Sequence, residues 1–437
     1  MGSSRSPGNA TADRAGDGGF AFAAVTTLFL AWGFITSLID PLVAAVKGIF
    51  TLSDFEAQLS ASAFFIAYGV MSLPAAALLA RCRPVATVLI ALATMIAGCL
   101  TMLLAANVAI YGLVLLGLFI LASGITILQV AANPLAAALG RPDRSHLRLT
   151  LSQAFNSLGT FIGPFIGASL FLAGVEIVEG QALNPAVRAA ALVGIDAAFL
   201  WIAVLIGLLA LFIWFARGLI AAAARSAAAP AAVSIGAMLA DVARSRWALL
   251  GGAAIFLYVG AEVAIGTQMA LFLSSRDVLG IGLEQAGKLV SLYWGGAMVG
   301  RLIGSVLLAR LPAAWLLAGF AAAACGLCLF VASVGGAAAG YAALAIGLFN
   351  SIMFPVIFTL TLERSTARKE ATSGFLCFAI VGGAAVPLLA GLVSGATSYA
   401  TAFLVPALCY ATLLAFGAAA ARAPVLRSGP VAVAAGH

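Results

Sequence analysis

Long apolar runs, separated by short polar or charged loops, recur along the chain from Phe20 to Ala421. Each run is near or above the roughly 20 residues that an α-helix needs to cross the hydrocarbon core of a bilayer. A membrane barrel would instead show strands of about 10 residues with alternating polarity, so the pattern predicts helices. The loops divide the chain into twelve predicted spans, which cover residues 20–46, 59–80, 84–105, 109–139, 148–174, 189–216, 246–274, 285–309, 312–334, 337–362, 371–395 and 398–421.

The composition also indicates an integral membrane protein. Of the 437 residues, 64% are hydrophobic and 8% are charged, and the mean hydropathy is +1.15, which is far from the values of soluble domains. The first 19 residues are polar and rich in Gly and Ser, and the apolar run after them is long enough to span. We therefore expect no cleavable signal sequence, and we predict that residues 1–19 form a disordered cytoplasmic tail.

The distribution of basic residues predicts how the spans are oriented. Seventeen of the 22 Lys and Arg residues fall on the side of the predicted spans that carries both termini, four fall on the other side, and Arg301 lies within a span. Because cytoplasmic loops carry the excess of Lys and Arg, we expect both termini on the cytoplasmic side of a bacterial-type inner membrane. The net charge of +7 then reflects topology, so the lipid bilayer is an expected partner and nucleic acid is not.

Two sequence repeats relate the first six spans to the last six. "LLARCRPVA" after span two resembles "LLARLPAA" after span eight, and "GPFIGA" in span five resembles "VPLLAG" in span eleven, at similar offsets of 229 and 223 residues. Such a duplication is typical of the major facilitator type, an all-α membrane fold with twelve transmembrane helices in two pseudo-symmetric six-helix halves and a substrate site between them. We expect a monomer, with an N-terminal half at 20–216, a cytoplasmic linker at 217–245, a C-terminal half at 246–421 and a cytoplasmic tail at 422–437.

Ionisable residues inside the spans are candidates for function, because a charged side chain at the bilayer centre costs roughly 2.5–3.5 kcal/mol on insertion scales. Asp40 precedes Pro41 in span one, where we predict a bend. Glu262 lies in span seven between Gly260 and Gly266, residues that permit a break in the helix. We interpret both acids as cation-coupling residues; for Asp40 the alternative is a carboxylate at the interfacial layer.

Arg301 is the basic residue that lies deepest inside a predicted span. It lies about nine residues, or roughly 13 Å at 1.5 Å per residue, from the cytoplasmic end of span eight. Its side chain could therefore reach the interface or pair structurally, and we interpret Arg301 as a structural residue.

Uncharged amides form a second set of candidates. Gln129 and Asn133 are spaced i and i+4 in span four, and Gln153 and Asn156 are spaced i and i+3 in span five, so each pair projects from one side of its helix. Amides offer donors and acceptors without charge, as sugar hydroxyls require, although amides also join membrane helices. Further candidates for the cavity wall are two amides and three aromatic residues that could stack on a sugar, namely Gln268, Asn350, Trp32, Trp294 and Phe354.

Features of an enzyme are missing from the sequence. There is no nucleophile–base pair, HExxH or Walker loop, and the two histidines are His146 in a loop and the terminal His437. Cys325 and Cys328 form a CxxC motif without other ligands at metal-binding spacing, so we interpret them as packing residues. We expect no enzymatic activity, no metal and no cofactor other than a coupling ion.

Several motifs together resemble the fucose permease branch of the major facilitator superfamily, the fucose–galactose–glucose:proton symporters. The similarity is carried by "WGFITSLIDPLV", "LQVAANPLAAALG", "RLTLSQAFNSLGTFIGP", "YVGAEVAIGTQMALFL", "YWGGAMVGRLIGS", "GLFNSIMFPVIFTLTLE" and "FAIVGGAAVPLLAGLVS". These motifs lie in both halves, so the resemblance covers nearly the whole chain.

The resemblance implies roles for particular positions. Asp40 matches the aspartate of proton-linked sugar binding, and Gln153 and Asn156 match sugar-contacting amides, with Trp32 at a tryptophan of the first-span motif. Gln129 departs from the pattern, because fucose permease has a glutamate there. Glu262 stands where fucose permease has glutamine, and an acid at this position resembles the glucose/galactose branch.

The predicted function is import of a hexose by cation-coupled symport through alternating access. The resemblance favours glucose, galactose, mannose or an N-acetylhexosamine as the substrate, and H⁺ rather than Na⁺ as the coupling ion. The alternatives are a sugar uniporter, a major facilitator exporter of another small solute, and, from a different class, a membrane enzyme or a non-transporting receptor.

Overall fold

The computed structural model describes residues 7–139, 145–175, 183–223 and 235–426. Within these ranges the chain forms seventeen α-helices and no strand. The helices are α1 (Pro7–Ser37), α2 (Ile39–Phe50), α3 (Asp54–Arg81), α4 (Pro84–Val108), α5 (Tyr111–Ala138), α6 (Ser145–Phe171), α7 (Pro185–Ala223), α8 (Ile235–Ala243), α9 (Arg246–Ser274), α10 (Leu283–Leu308), α11 (Ala313–Ser333), α12 (Gly336–Asn350), α13 (Met353–Arg364), α14 (Lys369–Phe378), α15 (Gly382–Ala396), α16 (Tyr399–Ala402) and α17 (Leu404–Arg422). A 3-10 turn at Ala379–Val381 joins α14 to α15.

Twelve stretches of the described chain are long and apolar enough to cross a membrane, as the hydropathy pattern predicts. Eight of these spans are single helices, α3 to α7 and α9 to α11, and four contain a break between consecutive helices, α1 and α2, α12 and α13, α14 and α15, and α16 and α17. Because an even number of spans returns the chain to its starting side, the first and last described helices, α1 and α17, begin and end at one face. We call this the terminal face, and we call the other side the opposite face.

The predicted tail 1–19 and the predicted linker 217–245 both contain helix. α1 begins at Pro7, inside the segment 1–19 predicted to be disordered, and proline is well suited to the first turn of a helix. α7 continues to Ala223 and enters the predicted linker 217–245, because the Ala-rich sequence there favours a helix. α8 lies within the same linker. Residues 1–6 of the predicted tail, 224–234 of the linker and 427–437 of the C-terminal tail lie outside the described residues.

The spans pack as two six-helix halves with equivalent contacts. In the first half, span one packs on five, two on four, and three on six; in the second half, seven packs on eleven, eight on ten, and nine on twelve. Across the halves, span two contacts span eleven and span five contacts span eight, which is again an equivalent pair. These contacts confirm the predicted fold of two pseudo-symmetric halves.

Glycines allow α1 and α6 to pack with their backbones in contact. A Cβ atom added at Gly163 would lie 2.0 Å from the Ser37 Oγ, and one added at Gly33 would lie 2.2 Å from the Asn156 carbonyl oxygen. Any larger residue would push the two helices apart. This close approach places the amide pair of α6 beside the polar face of α1.

The predicted break in span one is confirmed, whereas span seven is continuous. α1 ends at Ser37 and α2 begins at Ile39, just before Asp40 and Pro41. α9 runs without interruption past Glu262, so the two glycines beside it have another role. A Cβ atom at Gly260 would lie 2.3 Å from Val386 Cγ2 of α15, and one at Gly266 would lie 3.0 Å from the Asp40 Oδ1. Both glycines therefore permit close packing rather than a break.

Candidate functional site

A cavity lies between the two halves. Its empty space is about 1080 Å³, part of which is continuous with solvent, and this is large enough for a small-molecule site. Eight of the predicted site residues line it: Trp32, Asp40, Gln129, Asn133, Gln153, Asn156, Glu262 and Trp294. The polar and aromatic lining residues that the sequence analysis did not assign to the site are Thr36, Ser37, Phe65, Tyr68, Ser157, Thr160, Tyr258 and Arg301.

The four amides of spans four and five form one polar wall of the cavity. The Gln129 Nε2 donates to the Tyr68 hydroxyl at 3.3 Å, and the Gln153 Nε2 donates to the Asn133 Oδ1 at 3.4 Å. The Asn156 Nδ2 donates to a main-chain carbonyl of α1 at 3.2 Å. Gln153 is only 6% exposed, yet its Oε1 has no hydrogen-bond partner among the described atoms. Because a buried acceptor without a partner is costly, this atom is suited to accept a hydrogen bond from a ligand hydroxyl.

Two carboxyl groups face the cavity from different halves, and each is held by a neutral donor. Asp40 is 2% exposed and its Oδ2 accepts a hydrogen bond from the Trp294 Nε1 at 2.7 Å. The Glu262 Oε1 accepts one from the Tyr258 hydroxyl at 2.7 Å. The two acids lie within electrostatic range of each other. A neutral donor stabilises an ionised carboxylate without cancelling its charge, so binding of a proton or another cation would neutralise it.

Arg301 lies in the cavity wall and pairs there with residues of both halves, which agrees with its interpretation as a residue that pairs structurally. Its Nη1 donates to the Ser157 Oγ of the other half at 2.8 Å, and its Nε donates to the Ser351 carbonyl oxygen at 3.4 Å. The guanidinium is also within electrostatic range of Glu262. It therefore adds a positive charge to a cavity that contains two acids, and it links the halves instead of extending to the membrane surface.

Three predicted site residues lie outside the cavity, packed within the second half. Gln268 lines a small pocket with apolar residues of α15, α16 and α17. The Asn350 side chain is held between the Tyr293 and Tyr410 hydroxyls, at 2.7 and 2.8 Å. Phe354 is buried against the ring of Phe358. The prediction that these three side chains line the cavity is wrong, because the rotation of their helices turns them towards neighbouring helices.

Contacts across the halves close the opposite face. Lys47 and Asp54 form an ion pair and are only 9% and 7% exposed. The hydroxyl of Tyr399, from the other half, lies 2.5 Å from the Lys47 Nζ and donates to the Asp54 Oδ1 at 2.7 Å. Nearby, the Thr267 hydroxyl of α9 donates to the Gln58 Oε1 of α3 at 2.9 Å. These bonds separate the cavity from the opposite face.

The cysteines offer no alternative site. All six are described as free thiols, and the Cys325 Sγ donates to the Ala407 carbonyl oxygen within the second half at 3.4 Å. Among the residues that the structure describes, no group of three or more His, Cys, Asp or Glu could hold a metal ion.

Twelve spans around a polar cavity between two halves are typical of a multi-pass membrane transporter. The chain belongs to the Major Facilitator Superfamily, whose family model matches residues 21–376. It is similar to the glucose/galactose transporter of Brucella abortus, with 39% identity over 91% of this chain and 93% of that protein. It is also similar to the L-fucose-proton symporter of Escherichia coli, with 31% identity over 90% of this chain and 92% of that protein.

A solved structure supports the same relationship. The crystal structure of the Escherichia coli fucose:proton symporter FucP has a TM-score of 0.65 and 28% identity, over 92% of this chain and 98% of that chain. The resemblance to the fucose and glucose–galactose branch is therefore confirmed along nearly the whole chain.

Proposed function

We propose that the chain imports a hexose by cation-coupled symport, with H⁺ favoured over Na⁺ as the coupling ion. The observation that carries this proposal is the polar wall of the cavity, where four amides face two carboxyl groups and the buried Gln153 Oε1 lacks a partner. Each sugar hydroxyl both donates and accepts a hydrogen bond, and amides complement both properties. The candidate substrates are glucose, galactose, mannose and an N-acetylhexosamine.

Relatives along the full length of the chain support a sugar as the substrate. Their names are glucose/galactose transporter and L-fucose-proton symporter. The first shares the higher identity, 39% against 31%, which favours glucose or galactose over fucose. Trp32 and Trp294, both in the cavity wall, could stack on the apolar face of a pyranose.

The proposed transport cycle is alternating access, in which the two halves rock about the cavity. With the chain ends in the cytoplasm of a bacterial-type inner membrane, the opposite face is the outer face, and it is closed in this conformation. Opening it would break the contacts of Tyr399 with Lys47 and Asp54 and would expose the cavity to the outside. We expect the monomer to carry out the whole cycle, since both halves of the cavity come from one chain.

The coupling residues in this proposal are Asp40 and Glu262. Gln129 cannot change its charge, so this position cannot act as the second protonatable residue of fucose permease. Asp40 is the more buried acid and has Trp294 as its donor, so cation binding there would remove an uncompensated charge from the cavity. Glu262 shares its surroundings with Arg301, whose positive charge offsets that of the carboxylate.

Uptake by proteoliposomes tests the proposal. The purified protein would be given radiolabelled glucose, galactose, mannose and N-acetylglucosamine, with and without an imposed H⁺ or Na⁺ gradient. One charge crossing about 100 mV provides about 2.3 kcal/mol, which supports about 45-fold accumulation of sugar. Accumulation that needs the H⁺ gradient would support the proposal. Equilibration without accumulation would indicate a uniporter, and absence of transport of every sugar would refute sugar transport.

A further inference from the structure

The hydroxyl group of Tyr258 lies between two acceptors but has a single proton to donate. It is 2.7 Å from the Glu262 Oε1 and 3.1 Å from the main-chain carbonyl oxygen of Asn350. Tyr258 is 3% exposed, so water does not readily replace either partner. A phenol can accept one hydrogen bond while donating another. The direction of this short chain of hydrogen bonds therefore depends on whether Glu262 carries a proton.

The second acceptor lies at the break in span ten. Asn350 is the last residue of α12, and α13 begins at Met353. The Asn350 side chain is fixed by the Tyr293 and Tyr410 hydroxyls, and this fixes the position of its peptide. Unwound backbone within a membrane is tolerated where other groups satisfy its carbonyls, and the Tyr258 hydroxyl is one such group.

We infer that Tyr258 is a positioning residue that couples the state of Glu262 to the break between α12 and α13. When Glu262 is ionised, Tyr258 donates to the carboxylate, because a hydrogen bond to a charged acceptor is the stronger one. When Glu262 is protonated, its own O–H donates to the Tyr258 oxygen, and the Tyr258 proton turns to the Asn350 carbonyl. A sugar hydroxyl that donates to Glu262 would shift the balance in the same direction, and this part rests on the proposed function.

The change of hydrogen-bond partner at Tyr258 can affect transport because of where α13 lies. α13 continues from the break to the terminal face, where the Arg364 Nε donates to the Ala420 carbonyl oxygen at 3.1 Å. The Arg301 Nε, in the cavity wall, reaches the Ser351 carbonyl inside the same break. Two cavity residues thus hold carbonyls of the break, so a change in the cavity alters the hydrogen bonding of the segment that joins the two parts of span ten.

Hydrogen exchange of residues 351–356 provides the readout, measured with and without glucose in the full-length protein in nanodiscs. Tyr258→Phe removes the hydroxyl and keeps the ring. Tyr341→Phe is the matched control, because Tyr341 is 61% exposed on the outer surface of the second half, whereas Tyr258 is buried. We expect glucose to change the exchange rate of this segment by about two-fold or more in the wild type and in Tyr341→Phe, and to leave it unchanged in Tyr258→Phe, with glucose binding measured separately for each variant.

A glucose-dependent change in Tyr258→Phe as large as that in the wild type would overturn the inference. If Tyr258→Phe fails to bind glucose, Glu262→Gln provides the second test, because a neutral amide cannot switch between the two states. A glucose response of the segment in Glu262→Gln equal to the wild-type response would overturn the inference equally.

A change of pH tests the role of Tyr258 independently of the proposed sugar transport. If the wild type binds no hexose, a change from about pH 8 to about pH 3.5, below the ordinary glutamate pKa of about 4.3, replaces glucose as the trigger by protonating Glu262. The other charged or titratable groups in electrostatic range of Glu262 are Asp40 on α2, Arg301 and Tyr293 on α10, and Tyr410 on α17. The pH response of the protection of residues 351–356, taken relative to the intrinsic exchange rate at each pH, should persist in Asp40→Asn and disappear in Tyr258→Phe, and the opposite pattern would overturn the inference.

Discussion

Replacement of Gln153 by alanine removes both a donor and a partnerless acceptor from the polar wall of the cavity. The Gln153 Nε2 donates to Asn133, and the buried Oε1 has no partner among the described atoms, so a bound sugar can use both ends of the amide. A neutral hydrogen bond contributes about 0.5–1.5 kcal/mol, so the loss of two bonds to a sugar costs about 1–3 kcal/mol. We expect the Kd for glucose to rise by about 5- to 150-fold.

Gln268→Ala is the matched control for this measurement. Gln268 is as buried as Gln153, at 4% exposure, and its Nε2 also lacks a partner among the described atoms, but it faces a small pocket outside the cavity. Isothermal titration of the purified protein would give both Kd values, and thermal unfolding would confirm that each variant is folded. The Kd of Gln268→Ala should stay within about two-fold of the wild-type value, since no sugar contact is lost.

An unchanged Kd in Gln153→Ala would show that the amide does not contact the sugar. A rise of the same size in both variants would show that buried amides act through the stability of the fold. Either result would refute the argument that the partnerless acceptor marks the binding site.

Three other predictions concern the Tyr399 contacts that close the opposite face, the packing of Gly266 against Asp40, and helix α8 of the linker. Tyr399→Phe removes hydrogen bonds that close the opposite face, so single-molecule fluorescence should show a larger population open at that face, by about 5- to 150-fold for a loss of about 1–3 kcal/mol. Gly266→Val places new atoms against the Asp40 carboxyl, and overpacking of about 1–3 kcal/mol should reduce glucose uptake by about 10-fold or more. Hydrogen bonds from the Arg368 main-chain N–H and Nε hold the pKa of Asp241 below its usual value. The ionised carboxylate therefore stabilises α8 at any pH above the usual pKa of an aspartate. This stabilisation is lost as the pH falls through the lowered pKa of Asp241. Hydrogen exchange of α8 should therefore be faster in Asp241→Asn than in the wild type near pH 7. This difference should persist down to about pH 4 and vanish only once the pH is below the lowered pKa.

Controls for Tyr399→Phe and Gly266→Val come from exposed positions. Tyr341 is 61% exposed on the outer surface of the second half, so Tyr341→Phe should leave the open population unchanged. A Cβ atom at Gly319 would meet nothing within 4 Å, so Gly319→Ala should keep normal uptake. Equal effects in variant and control would contradict the assigned contacts, and a difference at α8 that persists below the lowered pKa would contradict the role of Asp241.

The sequence predicts the spans well because burial in lipid demands long apolar runs. The twelve runs and the two repeats therefore led to the correct architecture. The helix ends were less predictable than the spans, because a helix can continue beyond its membrane-spanning part. The apolar, Ala-rich sequence of α7 continues as a helix into the predicted linker.

The candidate site was only partly predictable, since spacing along a helix shows which residues share a face and leaves open which face meets the cavity. Gln153 and Gln268 are the same residue type, both within spans, and only the packing of their helices separates them. Tyr258 had a usable signal, because it lies one turn before Glu262 and so shares its face. The position of Arg301 in the cavity wall could not be predicted from its distance to the membrane surface, since its partner Ser157 belongs to the other half of the chain.

The proposed symport is tested most directly by whether glucose carries protons with it. Lightly buffered, de-energised vesicles containing the protein would receive glucose while the external pH is recorded, for the wild type and for Asp40→Asn. We expect alkalinisation on addition of glucose to the wild type and none with Asp40→Asn, although the variant still binds glucose. Glucose uptake by the wild type without proton movement, or the same alkalinisation with Asp40→Asn, would contradict this expectation.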